Sequence, residues 1–284
     1  MIEFFDSKKE FRNKEIIDSI KENYFCGSIN QITIFCSLEN HNTLLELLDR
    51  SQIDINRGID IVINRPLFRM TYADYFLYTN NNYEEDTTYI IANNDICFDR
   101  SVENLRNIEE DTFVCLTRWN PVSFAEKRAN LLELQEHPEH SHDSWAFKSK
   151  IPKKMIENSF FTQGVMCCDN HIAYIALINN FKLINPCRLV LSIHNDTTVK
   201  KYNMDDREID NIMLFACVAP TMSLEYDSNK IQSHNLIGGS RNHGENFIAH
   251  SKETAQFLEK NLSKYNMLKI TEPNKKHKVK RVTK

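Results

Sequence analysis

The chain has 284 residues, 41% of them hydrophobic, with 35 Lys and Arg against 39 Asp and Glu for a formal net charge of −4. That suffices for one large domain or a domain with an appendage, and neither an extreme composition nor a global basic field points to nucleic acid. The eight cysteines have neither zinc-type paired spacing nor a small-domain disulfide pattern, so a soluble, cytoplasmic protein in a reducing compartment is expected.

In chain order, the opening "MIEFFDSKKEF" carries acids and lysines where a signal peptide needs an apolar core. "EFRNKEIIDSIKENYFCG" predicts a helix packed on a sheet. "ITIF" (32–35) and "IDIVI" (59–63) read as strands, and "NTLLELLDRS" between them carries leucines at 44, 45, 47 and 48 on a helical face. "YTNNNYEEDTT" (78–88) is expected as a polar loop before the strand "YIIA" (89–92). "SVENLRNI" predicts a short helix with Ser101 as N-cap, followed by the strand "TFVCLT" (112–117). "LVLSI" (189–193) is a further strand. Strands alternating with helices, and strands apolar on both faces, predict an α/β fold with a mainly parallel central sheet covered by helices. From about Asn203 the signals weaken, so residues 1–203 are expected as the domain and 204–284 as a C-terminal extension. That extension reads as a loop-rich stretch, an amphipathic helix "SKETAQFLEKNLSKYNML" and a basic tail "KKHKVKRVTK". The tail is expected as solvated chain, with nucleic-acid or anionic-membrane binding as the minority reading. The longest apolar stretch, residues 212–219, is too short to span a bilayer.

Ligands of open parallel sheets bind just beyond the carboxyl ends of the strands. The strand at 89–92 ends in Asn93, Asn94 and Asp95. In extended chain Asn93 and Asp95 face one side, and an amide oxygen with a carboxylate suits a hard divalent cation. The alternative is that Asp95 caps the following turn. Asp169 stands just before the apolar helical run "HIAYIALI", as a site residue or a plain N-cap, with Asn170 and His171 as solvated first-turn residues in the second case. His194 leaves a strand, as a ligand or a satisfied surface residue. Cys167, Cys168, Asp169 and His171 could be read as a zinc cluster, but adjacent cysteines are poor tetrahedral chelators. The histidines of "HPEHSH" (137–142) are expected to be exposed.

The ordered set "RPLFRMTYADYF … IIANNDICFD … LTRWN … SHDSWAFKS … GVMCCDNHIAY … NP … IHNDTTVKKY" resembles a family of glycosyltransferases with a GT-A-type fold, over about residues 3–202. The resemblance implies a metal-dependent enzyme moving a sugar from a UDP- or GDP-sugar to a hydroxyl acceptor, with Mn²⁺ or Mg²⁺ as cofactor. It implies that Asn93 and Asp95 take the place of the Asp-x-Asp motif on metal and diphosphate, with Asn94 beside them and Asn93 departing from the usual acidic first position. It further implies His194 as the C-terminal metal ligand and Asp169, next to Asn170, as acceptor-facing base. Asp143, Ser144 and Trp145 would shape the donor-sugar pocket, and Arg65 and Arg118 would contact diphosphate or sugar. A carboxylate at a helix N-terminus should have its pKa lowered, which weakens Asp169 as a base. Trp145 offers a face for stacking on a sugar or base, or else packs in the core. The alternatives are a nucleotidyltransferase, for which "ITIFCSLEN" lacks a Gly-rich phosphate loop, and a non-catalytic sugar- or nucleotide-binding module on the same scaffold.

Overall fold

A computed structural model of the protein describes residues 1–64, 69–121, 132–165, 167–195, 214–235 and 239–242. In chain order the strands and helices are β1 (Ile2–Phe4), α1 (Glu10–Phe25), β2 (Ile32–Ser37), α2 (Leu38–Arg50), β3 (Ile59–Asn64) and α3 (Tyr72–Asn81). There follow β4 (Tyr89–Ala92), β5 (Ile96–Phe98), β6 (Thr112–Leu116), β7 (Arg118–Pro121), β8 (Leu132–Leu134) and β9 (Ser144–Phe147). Then come α4 (Lys153–Glu157), α5 (Cys168–Ile178), β10 (Lys182–Ile184), β11 (Ser192–His194), β12 (Phe215–Val218), β13 (Ile231–Asn235) and β14 (Gly239–Asn242).

The apolar, non-alternating strands are buried on both faces. β6 is buried at every position, and its successive side chains divide between two cores. Phe113 and Cys115 join Phe35, Ile91, Trp145 and the aromatics of α3. Val114 and Leu116 join Ile34, Ala92, Ala146 and the buried face of α1 and α2. Helices therefore cover both sides of the sheet, and the expected α/β class holds.

Two sets of strands form this sheet, β1-β2-β3 and β10-β6-β9-β4. The Met1 nitrogen donates to the Ile90 carbonyl at 2.6 Å, and the Ala92 N–H donates to the Met1 carbonyl at 3.1 Å. That is the parallel bonding pattern, and it joins the two sets in the order β3-β2-β1-β4-β9-β6-β10. β1–β2, β2–β3 and β10–β6 are parallel, while β9 is antiparallel to both β4 and β6. The sheet is thus mainly parallel with one reversed strand. β9 therefore begins at the edge where its neighbours end. A second, mixed sheet, β5-β11-β7-β8, takes up the chain where β4 and β6 finish.

Several local expectations need correction. Residues 78–81 belong to α3, whose start is fixed by a capping box between Thr71 and Asp74. The segment 101–108 is a 3-10 helix (Arg100–Asn107) capped by Asp99, whose Oδ1 accepts from the Ser101 N–H at 3.0 Å. The strand expected at 189–193 shortens to β11, because the Leu189 and Val190 N–H groups both turn back to the Pro186 carbonyl. Part of the stretch expected as an extension is core: Leu214, Ala216, Val218 and Ile231 are buried with the α3 and α5 residues. There β12, β13 and β14 form an antiparallel sheet. The boundary at 203, the amphipathic helix and the basic tail lie outside the described residues. Among the described residues no helix is long and apolar enough to cross a membrane.

Candidate functional site at the carboxyl edge of the sheet

β4 does not continue straight through Asp95. The Ile96 N–H bonds to the Asn93 carbonyl at 3.1 Å, closing a turn, so the alternation expected of extended chain fails and Asn93 and Asp95 take different partners.

Asp95 is 1% exposed. Its Oδ2 lies 2.5 Å from Arg12 Nη2 and 3.3 Å from His194 Nε2. The same Arg12 nitrogen is 3.5 Å from Asn94 Oδ1, and Arg12 Nη1 donates to Glu15 Oε2 at 3.1 Å. Backbone pairing delivers the histidine: His194 stands opposite Ile96 across β11 and β5, and the Asn195 N–H donates to the Asp95 carbonyl at 2.7 Å. Arg12 comes from α1, and the Asn195 side-chain amide ties to the Glu15 carbonyl of that helix at 3.2 Å.

Asn93 turns the other way. Its Nδ2 donates to Asp143 Oδ1 at 2.8 Å, and its backbone N–H donates to the Asp143 carbonyl at 2.9 Å. Arg118 Nη1 donates to the same Asp143 Oδ1 at 2.9 Å. Asp143 is 5% exposed, and its Oδ2 is buried with no hydrogen-bond partner. The reversal of β9 is what brings Asp143 here, one residue before the strand.

The neighbouring residue carries the site to α5. The His142 N–H donates to Asp169 Oδ2 at 3.0 Å. Asp169 lies in the first turn of α5, yet its carboxyl is pushed up to about 6. Burial is the main cause and the nearby charge of Asp143 adds to it, against backbone N–H bonds from His142, Asn170 and Asp169 itself. The lowering expected from the helix N-terminus is reversed. His142 is not exposed as expected but 1% accessible, and neither ring nitrogen makes a well-formed hydrogen bond. Burial lowers its pKa to about 4, although the Val218 carbonyl favours the protonated ring.

Other expected site residues make contacts within the fold. Asn170 donates to the Ala216 carbonyl at 3.1 Å, and His171 Nδ1 pairs with the Leu214 carbonyl at 2.7 Å, so both fasten α5 to β12. Ser144 is buried, with its Oγ 3.1 Å from Ser192 Oγ. Trp145 is 1% exposed with Tyr72 edge-on at 5.0 Å between centroids, so it packs in the core and presents no open face. Cys168 Sγ takes the Tyr72 hydroxyl at 3.7 Å. Arg65 lies outside the described residues. Arg12 and His142 are the site residues that sequence reasoning missed; an arginine in an ordinary polar helix carries no local signal, whereas a histidine just before the run Trp145-Ala146-Phe147 is a usable one.

Among the described residues no three or more His, Cys, Asp or Glu side chains gather as a ready metal cluster. A hard divalent ion, however, commonly takes one or two protein ligands and completes its shell with water and phosphate oxygens. Neighbouring ligands about 2.1 Å from one octahedral ion stand roughly 3.0 Å apart, close to the 3.3 Å between Asp95 Oδ2 and His194 Nε2. Two carboxylates, Asp95 and Glu15, face the single positive charge of Arg12, so carboxylates outnumber the guanidinium at this cluster. The donor set therefore fits a divalent cation, through Asp95 and His194 and without Asn93.

No family model matches the chain, and no curated protein matches it. Among solved structures, one that matches is the mannosyltransferase PcManGT from Pyrobaculum calidifontis in complex with GDP-Man and Mn²⁺, at 12% identity and a TM-score of 0.42, covering 68% of this chain and 55% of that one. The chain thus spans little more than half the length of that protein, and the likeness assigns no role to any residue here.

Proposed function

We propose that the chain is a glycosyltransferase of GT-A type that moves a sugar from a UDP- or GDP-sugar to a hydroxyl acceptor. The observation that carries this reading is the gathering, at one edge of a mainly parallel sheet, of a paired Asp95–His194 and an Asp169 carboxyl whose pKa is about 6. Breaking the anomeric bond leaves charge on the departing diphosphate, and a bound Mn²⁺ or Mg²⁺ would neutralise it there. Asp95 and His194 hold that end of the donor. Arg118, fixed by Asp143 and Asn120, faces the donor from β7. Asp169 accepts the proton of the acceptor hydroxyl, since a carboxylate of raised pKa is a better base than an ordinary aspartate and is still ionised at neutral pH. That tuning also favours an enzyme over a non-catalytic binding module, because binding alone has no need of it.

Calorimetric titration with UDP- and GDP-sugars in the presence of Mn²⁺, joined to a diphosphate-release assay with and without EDTA, tests the proposal. Binding of at least one donor and EDTA-sensitive release are expected. Failure of every nucleotide sugar to bind, with metal or without, overturns it.

A further inference from the structure

Arg12 lies 2.5 Å from Asp95 Oδ2, with both side chains largely buried. Its guanidinium lies across the turn after β4, touching Asp95 and Asn94 with one nitrogen and Glu15 with the other. A cation bound through Asp95 Oδ2 would sit within a few ångströms of this guanidinium, and two positive centres sharing one carboxylate oxygen at low dielectric repel strongly. A diphosphate reaching the same turn would, conversely, meet a planar fork of N–H donors suited to its paired oxygens.

The geometry points to Arg12 as a donor-binding residue that changes partners. It is the counter-ion of Asp95 in the unliganded protein and passes to the diphosphate oxygens when a divalent cation takes Asp95. The inference rests on the glycosyltransferase reading and deepens it. It gives α1, outside every motif of the resemblance's Asp-x-Asp region, a direct part in recognising the nucleotide. It also separates two affinities that a merely structural arginine would leave tied together. Arg12 opposes the bare cation, because the two compete for one oxygen. It assists the nucleotide once the cation is in place.

The test uses the full-length protein and two variants, Arg12→Gln and Arg12→Lys, with three probes: Mn²⁺ alone, then UDP and GDP at saturating Mn²⁺. Mn²⁺ binding is read from the paramagnetic signal of the free ion, and nucleotide binding from calorimetry. In Arg12→Gln, Mn²⁺ alone should bind at least about tenfold more tightly, while the nucleoside diphosphate should bind about tenfold more weakly. Arg12→Lys keeps the charge without the fork, so Mn²⁺ affinity should stay within about twofold of wild type and the nucleotide should still weaken several-fold. The lysine variant keeps the proposal falsifiable should the glutamine variant fold poorly. If wild type binds Mn²⁺ and nucleotide but the affinities move together, or do not move, the Arg12 assignment is overturned and the glycosyltransferase reading stands. If wild type binds neither probe, both fall.

Discussion

Asp95 has an arginine at 2.5 Å and a histidine at 3.3 Å on one carboxylate oxygen, whereas the bonds on Asp169 come from uncharged backbone N–H groups while burial and Asp143 push its pKa up to about 6. Both acids stand at the same sheet edge. One faces a guanidinium and an imidazole; the other faces only uncharged donors, and burial raises its pKa. Opposite settings for like groups are a physical basis for dividing labour between binding an anion's counter-charge and moving a proton.

The largest effect expected on this contrast comes from Asp95→Ala. It removes one of the two carboxylates facing a mostly buried Arg12, which keeps Glu15, so it should cost about 1–3 kcal/mol of folding stability and abolish donor binding; denaturant unfolding and calorimetry check the two parts. Asp169→Asn should behave in the opposite manner. Transfer rate should fall about 10²- to 10⁴-fold with donor affinity unchanged, and unfolding should show no comparable loss.

The pH dependence sharpens the comparison further. Asp169 in the folded state holds its proton up to about pH 6, above the unfolded range, so its contribution to stability is present at low pH and declines as pH rises from about 4 through 6. His142, with its pKa lowered to about 4, contributes the reverse: stability is lost as pH falls below the unfolded value of roughly 6.5. The two slopes oppose each other in one window. Unfolding midpoints measured against pH should therefore tilt upward with pH in Asp169→Asn and downward in His142→Gln, each relative to wild type. Equal slopes in all three proteins would contradict the assigned environments. Transfer rate should rise as pH increases through about 6 in wild type.

The smallest effect belongs to Trp145→Phe. A tryptophan in the core beneath the site should cost about 1–3 kcal/mol of stability while shifting donor affinity less than about twofold. A large affinity loss with unchanged stability would return Trp145 to the ligand.

The parallel strands were legible because burial on both faces leaves an unbroken apolar run, as in β4 and β6. The direction of β9 was not, since "SWAF" reads alike in either sense and its orientation is set by pairing with strands about thirty and fifty residues earlier. At the site, Asp95, Asp143, Asp169 and His194 could be picked from short motifs. Their settings could not. Arg12 reaches Asp95 across 83 residues of sequence and His142 reaches Asp169 across 27. The acidity of Asp169 was misjudged for the same reason, because a helix start is visible in sequence and the layer that buries it is not. The alternation that would set Asn93 beside Asp95 fails through a turn hydrogen bond that periodicity does not anticipate.

The reversed strand has a practical consequence for redesign. Since β9 enters at the edge where its neighbours leave, the connection before it, residues 135–143, ends in the site residues His142 and Asp143 while the residues after Ser144 lock into the core. Substituting residues 135–141, none of them buried, would change the approach to the site and spare His142, Asp143 and the packing beneath them. Substrate preference could then drift, or be engineered, at little cost to the architecture.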